Sequence, residues 1–174
     1  MPVFLSQQPE LSISAFISTM SLTQYTHDPT DAKYMSIAIE QANRSIPVEK
    51  AYCVGAALVD SNGQLLTTGF SREIPLNTHA EECALLKLDD PSVAKGATMY
   101  TTMEPCSTRL SGNRPCTDRL IEAKVARVVM GVREPPNLVQ CTGIQQLKDN
   151  GIQVLVVPDV EEACLAPNRH IVNK

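Results

Sequence analysis

CVGAALVDSNGQLLTTGF, residues 53–70, reads as two strands folded back on each other. Residues 53–59 form an apolar run, Ser61-Asn62-Gly63 supplies a turn and 64–70 resumes the β pattern, so the pair is a hairpin and antiparallel. Beyond it the pattern changes: 78–88 reads as a helix, 97–101 as a strand, 116–123 as a helix, 127–131 as a strand, 143–150 as a helix closed by Gly151, and 152–157 as a last strand. Strands that alternate with helices are joined by crossovers, which impose parallel pairing. Upstream, Tyr34, Met35, Ala38, Ile39 and Ala42 recur at helical spacing over 31–43, with Thr30 and Asp31 as caps and Pro47 ending the pattern. The expected fold is α/β, a three-layer αβα sandwich around a five-stranded mixed sheet. Residues 30–158 make one domain, 1–29 an N-terminal extension that is partly helical, and 159–174 a C-terminal tail.

The 174 residues are 43% hydrophobic, enough for a substantial core. A net charge of -4 argues against a polynucleotide partner, which calls for a broad basic surface, but leaves room for a small anionic ligand. The six cysteines come without a signal segment, and a domain of this size needs no disulfide staples. A reducing compartment, cytoplasmic or nuclear, is expected. The apolar run from Leu11 to Met20 is short and rich in Ser and Thr, so no membrane span is expected. No G-x-G-x-x-G accompanies the strands, so no nicotinamide cofactor is expected either.

The chemistry is written in His79-Ala80-Glu81, Pro105-Cys106 and Pro115-Cys116. An imidazole and two thiolates suit Zn2+, and three protein ligands leave its fourth tetrahedral position for water, as in catalytic sites. Bound there, water would have its pKa lowered toward ~7, and Glu81 would carry its protons in sequence to a ring nitrogen and to departing ammonia. Zinc deaminases show this order, H-x-E then P-C-x-x-C. Asn77 and Thr78 are natural N-caps that put His79 and Glu81 in a helix's first turn, and Pro115 starts another helix at Cys116. Taken alone, Thr78 to Glu81 is equally a capping box, and each Pro-Cys a buried thiol; the set, in this order, points to catalysis. Cys53 and Cys83, in apolar segments, read as core.

Nine residues, 107–115, separate the two cysteines where the common motif has two. This excursion leaves the metal and returns to it, so it rims the pocket. Arg109 and Arg114 lie on it, and Arg suits phosphate geometry. Arg119, Lys124 and Arg127 read as a solvated helix face. Asn77 either caps its helix or contacts substrate, and Asn77, Ala80, Arg109 and Arg114 are the candidate substrate-binding residues. Glu104 reads as a loop-fixing acceptor, Pro135-Pro136 as a rigid loop and His170 as exposed.

With those residues in place, the chain resembles the cytidine-deaminase-like superfamily over roughly residues 31–157. Thr102-Met103-Glu104-Pro105-Cys106, the excursion and Arg114-Pro115-Cys116 look like the deaminases of riboflavin biosynthesis, and more like the stand-alone fungal part than the bacterial fusions with a reductase. The resemblance implies zinc on His79, Cys106 and Cys116, Glu81 as proton shuttle, and a phosphorylated ribitylaminopyrimidine, 2,5-diamino-6-ribitylamino-4(3H)-pyrimidinone 5'-phosphate, as substrate. It also implies a homodimer. Bacterial members carry Asn-Pro shortly before the Val-Gly of the first strand; here Ala51-Tyr52-Cys53 precedes Val54-Gly55, so that Asn contact is absent. The competing readings are a nucleoside, nucleotide or transfer-RNA base deaminase of the same fold, and a zinc-stabilised partner subunit without activity. The acidic charge speaks against the transfer-RNA reading and intact Glu81 against the silent subunit.

Overall fold

The structure, a computed structural model, describes residues 23–133 and 142–172. The expected partly helical extension before residue 23 and the Pro135-Pro136 loop lie outside the described residues.

The hairpin forms as read. Strands β1 (Gly55–Val59) and β2 (Leu65–Phe70) pair antiparallel, with a register shift between Leu58 and Val59. The Asp60 carboxylate organises the turn by accepting from the N–H groups of Asn62 at 2.9 Å and Gln64 at 2.8 Å. β1 also pairs antiparallel with β3 (Thr98–Met103), while β4 (Arg127–Val132) and β5 (Gln153–Val156) continue in parallel. The order β2-β1-β3-β4-β5 is the expected five-stranded mixed sheet.

Because side chains alternate across a sheet, each inner strand feeds two cores. Ala57, Tyr100, Val129 and Leu155 face one side, under α1 (Pro29–Ala42), α5 (Glu161–Leu165) and α6 (Arg169–Val172). Ala56, Leu58, Met99, Val128 and Met130 face the other, under α2 (Ala80–Leu86), α3 (Cys116–Glu122) and α4 (Gly143–Asp149). Two glycines admit the helix backbones. A Cβ at Gly55 would lie 2.0 Å from the Ala38 carbonyl of α1, and one at Gly69 would lie 2.2 Å from the Ala80 carbonyl of α2. Gly69 thereby lets the first turn of α2 lie directly on β2.

Three local readings are corrected. The cap of α1 is Asp28, whose carboxylate accepts from the Thr30 N–H at 2.8 Å, with Pro29 opening the helix. Asp31 instead lies on the buried face with Tyr34, Met35 and Ala38, one turn earlier in the same stripe. There it accepts from Tyr100 at 2.7 Å, Thr26 at 2.6 Å and Arg127 at 2.8 Å, so Arg127 is no solvated residue. Second, β1 starts at Gly55 rather than 53 because side chains take the preceding backbone groups. The carboxamide of buried Asn168 pairs with both the N–H (2.6 Å) and the carbonyl (3.0 Å) of Cys53, and Ser71 Oγ accepts from Val54 N–H. Third, the segment read as a tail folds onto the sheet, burying Cys164, Asn168 and Ile171. At the outer edge of β5, Gln24 and Thr26 exchange backbone hydrogen bonds with Val156, covering that edge.

The Asp31 network makes stability depend on pH. Burial alone would raise this carboxyl, but hydrogen bonds from Thr26, Arg127 and Tyr100 outweigh it and hold the group below its ordinary value of 3.8. A depressed folded pKa gives stability that is full above the unfolded value and is lost as pH falls through the folded one. Asp31→Asn is expected to cost on the order of 3 kcal/mol at pH 7. Urea titrations should show that difference closing as pH drops below 3.8. A difference independent of pH would show that the charge is not what stabilises.

Candidate metal centre and active site

The backbone between β2 and α2 turns sharply, with Arg72, Leu76 and Asn77 at positive φ. The Arg72 guanidinium ties this turn to the segment before β1, donating to the carbonyls of Tyr52 (3.0 Å) and Ile46 (2.8 Å) and to Ser45 Oγ (2.8 Å). His79 then caps α2 in an extended conformation (φ -91, ψ 163), so its imidazole stands off the helix end. The capping box therefore sits one residue later than Thr78 and Glu81 suggest. Its carboxylate is Glu82, which accepts from the His79 N–H at 3.3 Å. That shift releases Glu81, buried at 3% exposure, whose Oε1 accepts from Thr101 Oγ1 on β3 at 3.1 Å.

Cys106 follows the end of β3, and Cys116 opens α3 with Pro115 before it. The first turn of α3 grips Cys106: Cys116 N–H points to its sulfur at 3.3 Å, and Thr117 donates to its carbonyl through N–H (3.2 Å) and Oγ1 (3.1 Å). His79 Nδ1, Cys106 Sγ and Cys116 Sγ all lie within 4.8 Å of one another, and Nδ1 is 3.5 Å from each sulfur. Zn–N at ~2.0 Å and Zn–S at ~2.3 Å around a tetrahedron put N and S about 3.5 Å apart, so the triangle fits that ion. Among the described residues no other group of three such donors meets. The Cys116 side chain beside it, together with His79, holds the Cys106 thiol down to about 4 against burial, while Cys106 and burial push the Cys116 thiol well up. Burial and then the Cys106 charge raise the Glu81 carboxyl.

A cleft of about 160 Å³ opens over this triangle, walled by Tyr52, Met103, Glu104, Asn77, Arg109 and Lys50, among others, with His79, Glu81 and Cys106 in its lining. Of the expected substrate contacts, Asn77 and Arg109 are on the wall. Arg114 and Ala80 are not part of this lining. Arg109 is buried, with Nη1 2.8 Å from Glu82 Oε2 and Nη2 on the Asn77 carbonyl. Arg114 is bound to Glu122 on an exposed face, and Ala80 packs its methyl into the core under α2. Arg119, expected to be solvated, pairs with Glu82 Oε1 at 2.6 Å. Burial would raise the Glu82 carboxyl, but Arg109, the His79 N–H and Arg119 hold it below its ordinary value. Glu104 does fix a loop, accepting from Ile144 N–H at 3.3 Å. Cys53 and Cys83 are core residues, and His170 is half-buried on the Val48 carbonyl.

Sequence reasoning missed Thr101, Glu82, Arg119 and Lys50. Only Glu82 carried a signal, its place three residues after His79. The others come together through sheet register and loop closure.

Residues 28–132 match the family described as the cytidine and deoxycytidylate deaminase zinc-binding region, and the chain belongs to this family. The chain is 42% identical to the diaminohydroxyphosphoribosylamino-pyrimidine deaminase of Schizosaccharomyces pombe over 160 residues, which are 90% of this chain and 37% of that protein. Among solved structures it resembles the Rib2 deaminase of Aspergillus oryzae, crystallised as a C-terminal deletion mutant in complex with DARIPP (TM-score 0.69, 32% identity, 79% of this chain, 89% of that one). It resembles Acinetobacter baumannii RibD with a TM-score of 0.70 at 33% identity, covering 81% of this chain and 38% of that one. No helix among the described residues is long and apolar enough to cross a membrane.

Proposed function

We propose that this deaminase-family chain hydrolytically deaminates 2,5-diamino-6-ribitylamino-4(3H)-pyrimidinone 5'-phosphate, releasing ammonia, as a step of riboflavin biosynthesis. One observation carries the reading: Glu81, buried and held by Thr101, lines the same cleft as the His79 and Cys106 ligand atoms. His79, Cys106 and Cys116 would hold zinc, which when bound acidifies water at neutral pH. Glu81 accepts a proton from the attacking water and gives it to the ring nitrogen beside C2 as the C2–O bond forms. It then takes the proton of the new C2 hydroxyl and passes it to the exocyclic amine; as the C2–N bond breaks, ammonia leaves and the C2 carbonyl forms. Burial suits Glu81 to this work because a water-excluded carboxylate exchanges protons with substrate rather than solvent. The S. pombe relative's name and the A. oryzae complex with DARIPP support the substrate class. Ammonia release measured side by side on the ribitylamino phosphate, the ribosylamino phosphate, dCMP and cytidine tests it; preference for cytidine or dCMP would overturn the assignment.

The phosphate is better placed against Lys50 than against Arg114 or Arg109. Arg72 and Arg109 on the cleft wall are engaged by protein groups, whereas no hydrogen bond or ion pair to a described residue engages Lys50. Lys50→Gln is expected to raise KM for the phosphorylated substrate about tenfold with kcat kept, the loss of one charge-assisted contact. The dephosphorylated substrate should be unaffected; an equal rise on both would remove Lys50 from phosphate recognition. A homodimer is the proposed assembly, supported by Ile46, Leu76 and Leu110, apolar side chains exposed at 78%, 89% and 86%.

A further inference from the structure

Glu81 performs the proposed proton transfers, but its neighbour Glu82 holds more of the site together. Glu82 is buried, and its two oxygens face three different segments. Oε2 accepts from the His79 N–H at 3.3 Å and from Arg109 Nη1 at 2.8 Å, and Oε1 accepts from Arg119 Nη2 at 2.6 Å. Arg109 stands three residues after Cys106, and its guanidinium runs on to the carbonyls of Asn77 and, at 3.5 Å, Arg114, two residues before Cys116. Arg119 stands three residues after Cys116 on α3. One carboxylate thus touches the backbone of the first ligand and an arginine beside each of the other two. Two guanidiniums and an N–H converging on one buried acid form a rigid node, because each arm restrains the others' rotamers.

We infer that Glu82 is the positioning residue of the metal triangle, setting the separation of His79 from Cys106 and Cys116 through Arg109 and Arg119. It touches none of the ligand atoms itself. The inference rests on the proposed zinc site, since the geometry it maintains is that of the ligands. Partners outside the ligand set that orient ligands typically change metal affinity by about 10- to 100-fold when removed.

The test compares full-length wild type, Glu82→Ala, Glu82→Gln, Arg119→Met and Asp31→Asn, loaded with zinc or cobalt(II). The readouts are the rate of metal release to excess chelator, the visible spectrum of the cobalt form and thermal stability. Glu82→Ala should release metal about tenfold faster or more and shift the cobalt bands. Glu82→Gln, which keeps an acceptor oxygen but loses the charge, should fall between it and wild type. Arg119→Met removes one partly exposed arm and should give a smaller acceleration, which preserves the test if Glu82→Ala does not fold. Asp31→Asn removes a buried acid paired with another arginine, Arg127, away from the cleft lining, and should lose stability with no change in release. Release from Glu82→Ala and Arg119→Met at the wild-type rate overturns the inference, as does equal acceleration in Asp31→Asn. A wild type that binds no metal overturns the proposed function as well, so the two failures are distinct.

Discussion

Glu81→Gln is expected to keep about one zinc per chain while ammonia release falls about 10³-fold, the range a positioned general acid and base supplies. The substitution is nearly isosteric, and its amide oxygen still accepts from Thr101, so cleft geometry and KM should hold. What disappears is a group that can take and return a proton. The loss should therefore appear in kcat, with metal content unchanged by elemental analysis. Normal turnover would remove Glu81 from the mechanism. Loss of zinc together with activity would make Glu81 a ligand or a fold determinant instead. The second outcome is disfavoured because Glu81 oxygen belongs to no part of the three-donor triangle.

Cys116→Ala is expected to abolish both zinc binding and detectable activity while leaving a folded chain. The two cores, one under α1, α5 and α6 and the other under α2, α3 and α4, consist of apolar side chains from the sheet and helices and contain no ligand. Metal therefore adds to stability without being its source, unlike small zinc folds that are unfolded without it. With free zinc at 100 times its dissociation constant, binding adds about 2.7 kcal/mol, roughly 8 °C in Tm for a domain of this size. The checks are circular dichroism of the variant and a Tm titration of wild type with zinc. A variant that is unfolded in circular dichroism, or a wild type whose Tm does not respond, would refute this division between fold and site.

Much of this was legible in residue order. An apolar run, an Asn-Gly turn and a second run can only close as a hairpin, and alternating helices force parallel strands after it; both features are present in the sheet. Element ends were less legible because side chains compete for backbone groups there. Asn168, 115 residues away, takes the Cys53 positions that hydrophobicity alone assigns to β1.

The ionic pairing was beyond reach of the sequence. From residue order, Arg109 and Arg114 read as ligands for an anion, and Arg119, Lys124 and Arg127 as a solvated helix face. Folding pairs Arg109 and Arg119 with Glu82, Arg127 with Asp31 and Arg114 with Glu122. Composition counts charges; it says nothing of which distant acid meets which guanidinium.

Sequence by itself pointed to the chemistry: His79, Cys106 and Cys116 are the proposed donor set and Glu81 the proposed proton carrier, and their order with the strands between sets the fold class. Tertiary structure alone decided their geometry and which acid engages the arginines around them. Those depend on contacts spanning 27 to 37 residues, among them Glu82 to Arg109 and Glu82 to Arg119, which exist only once the sheet register has brought their elements together.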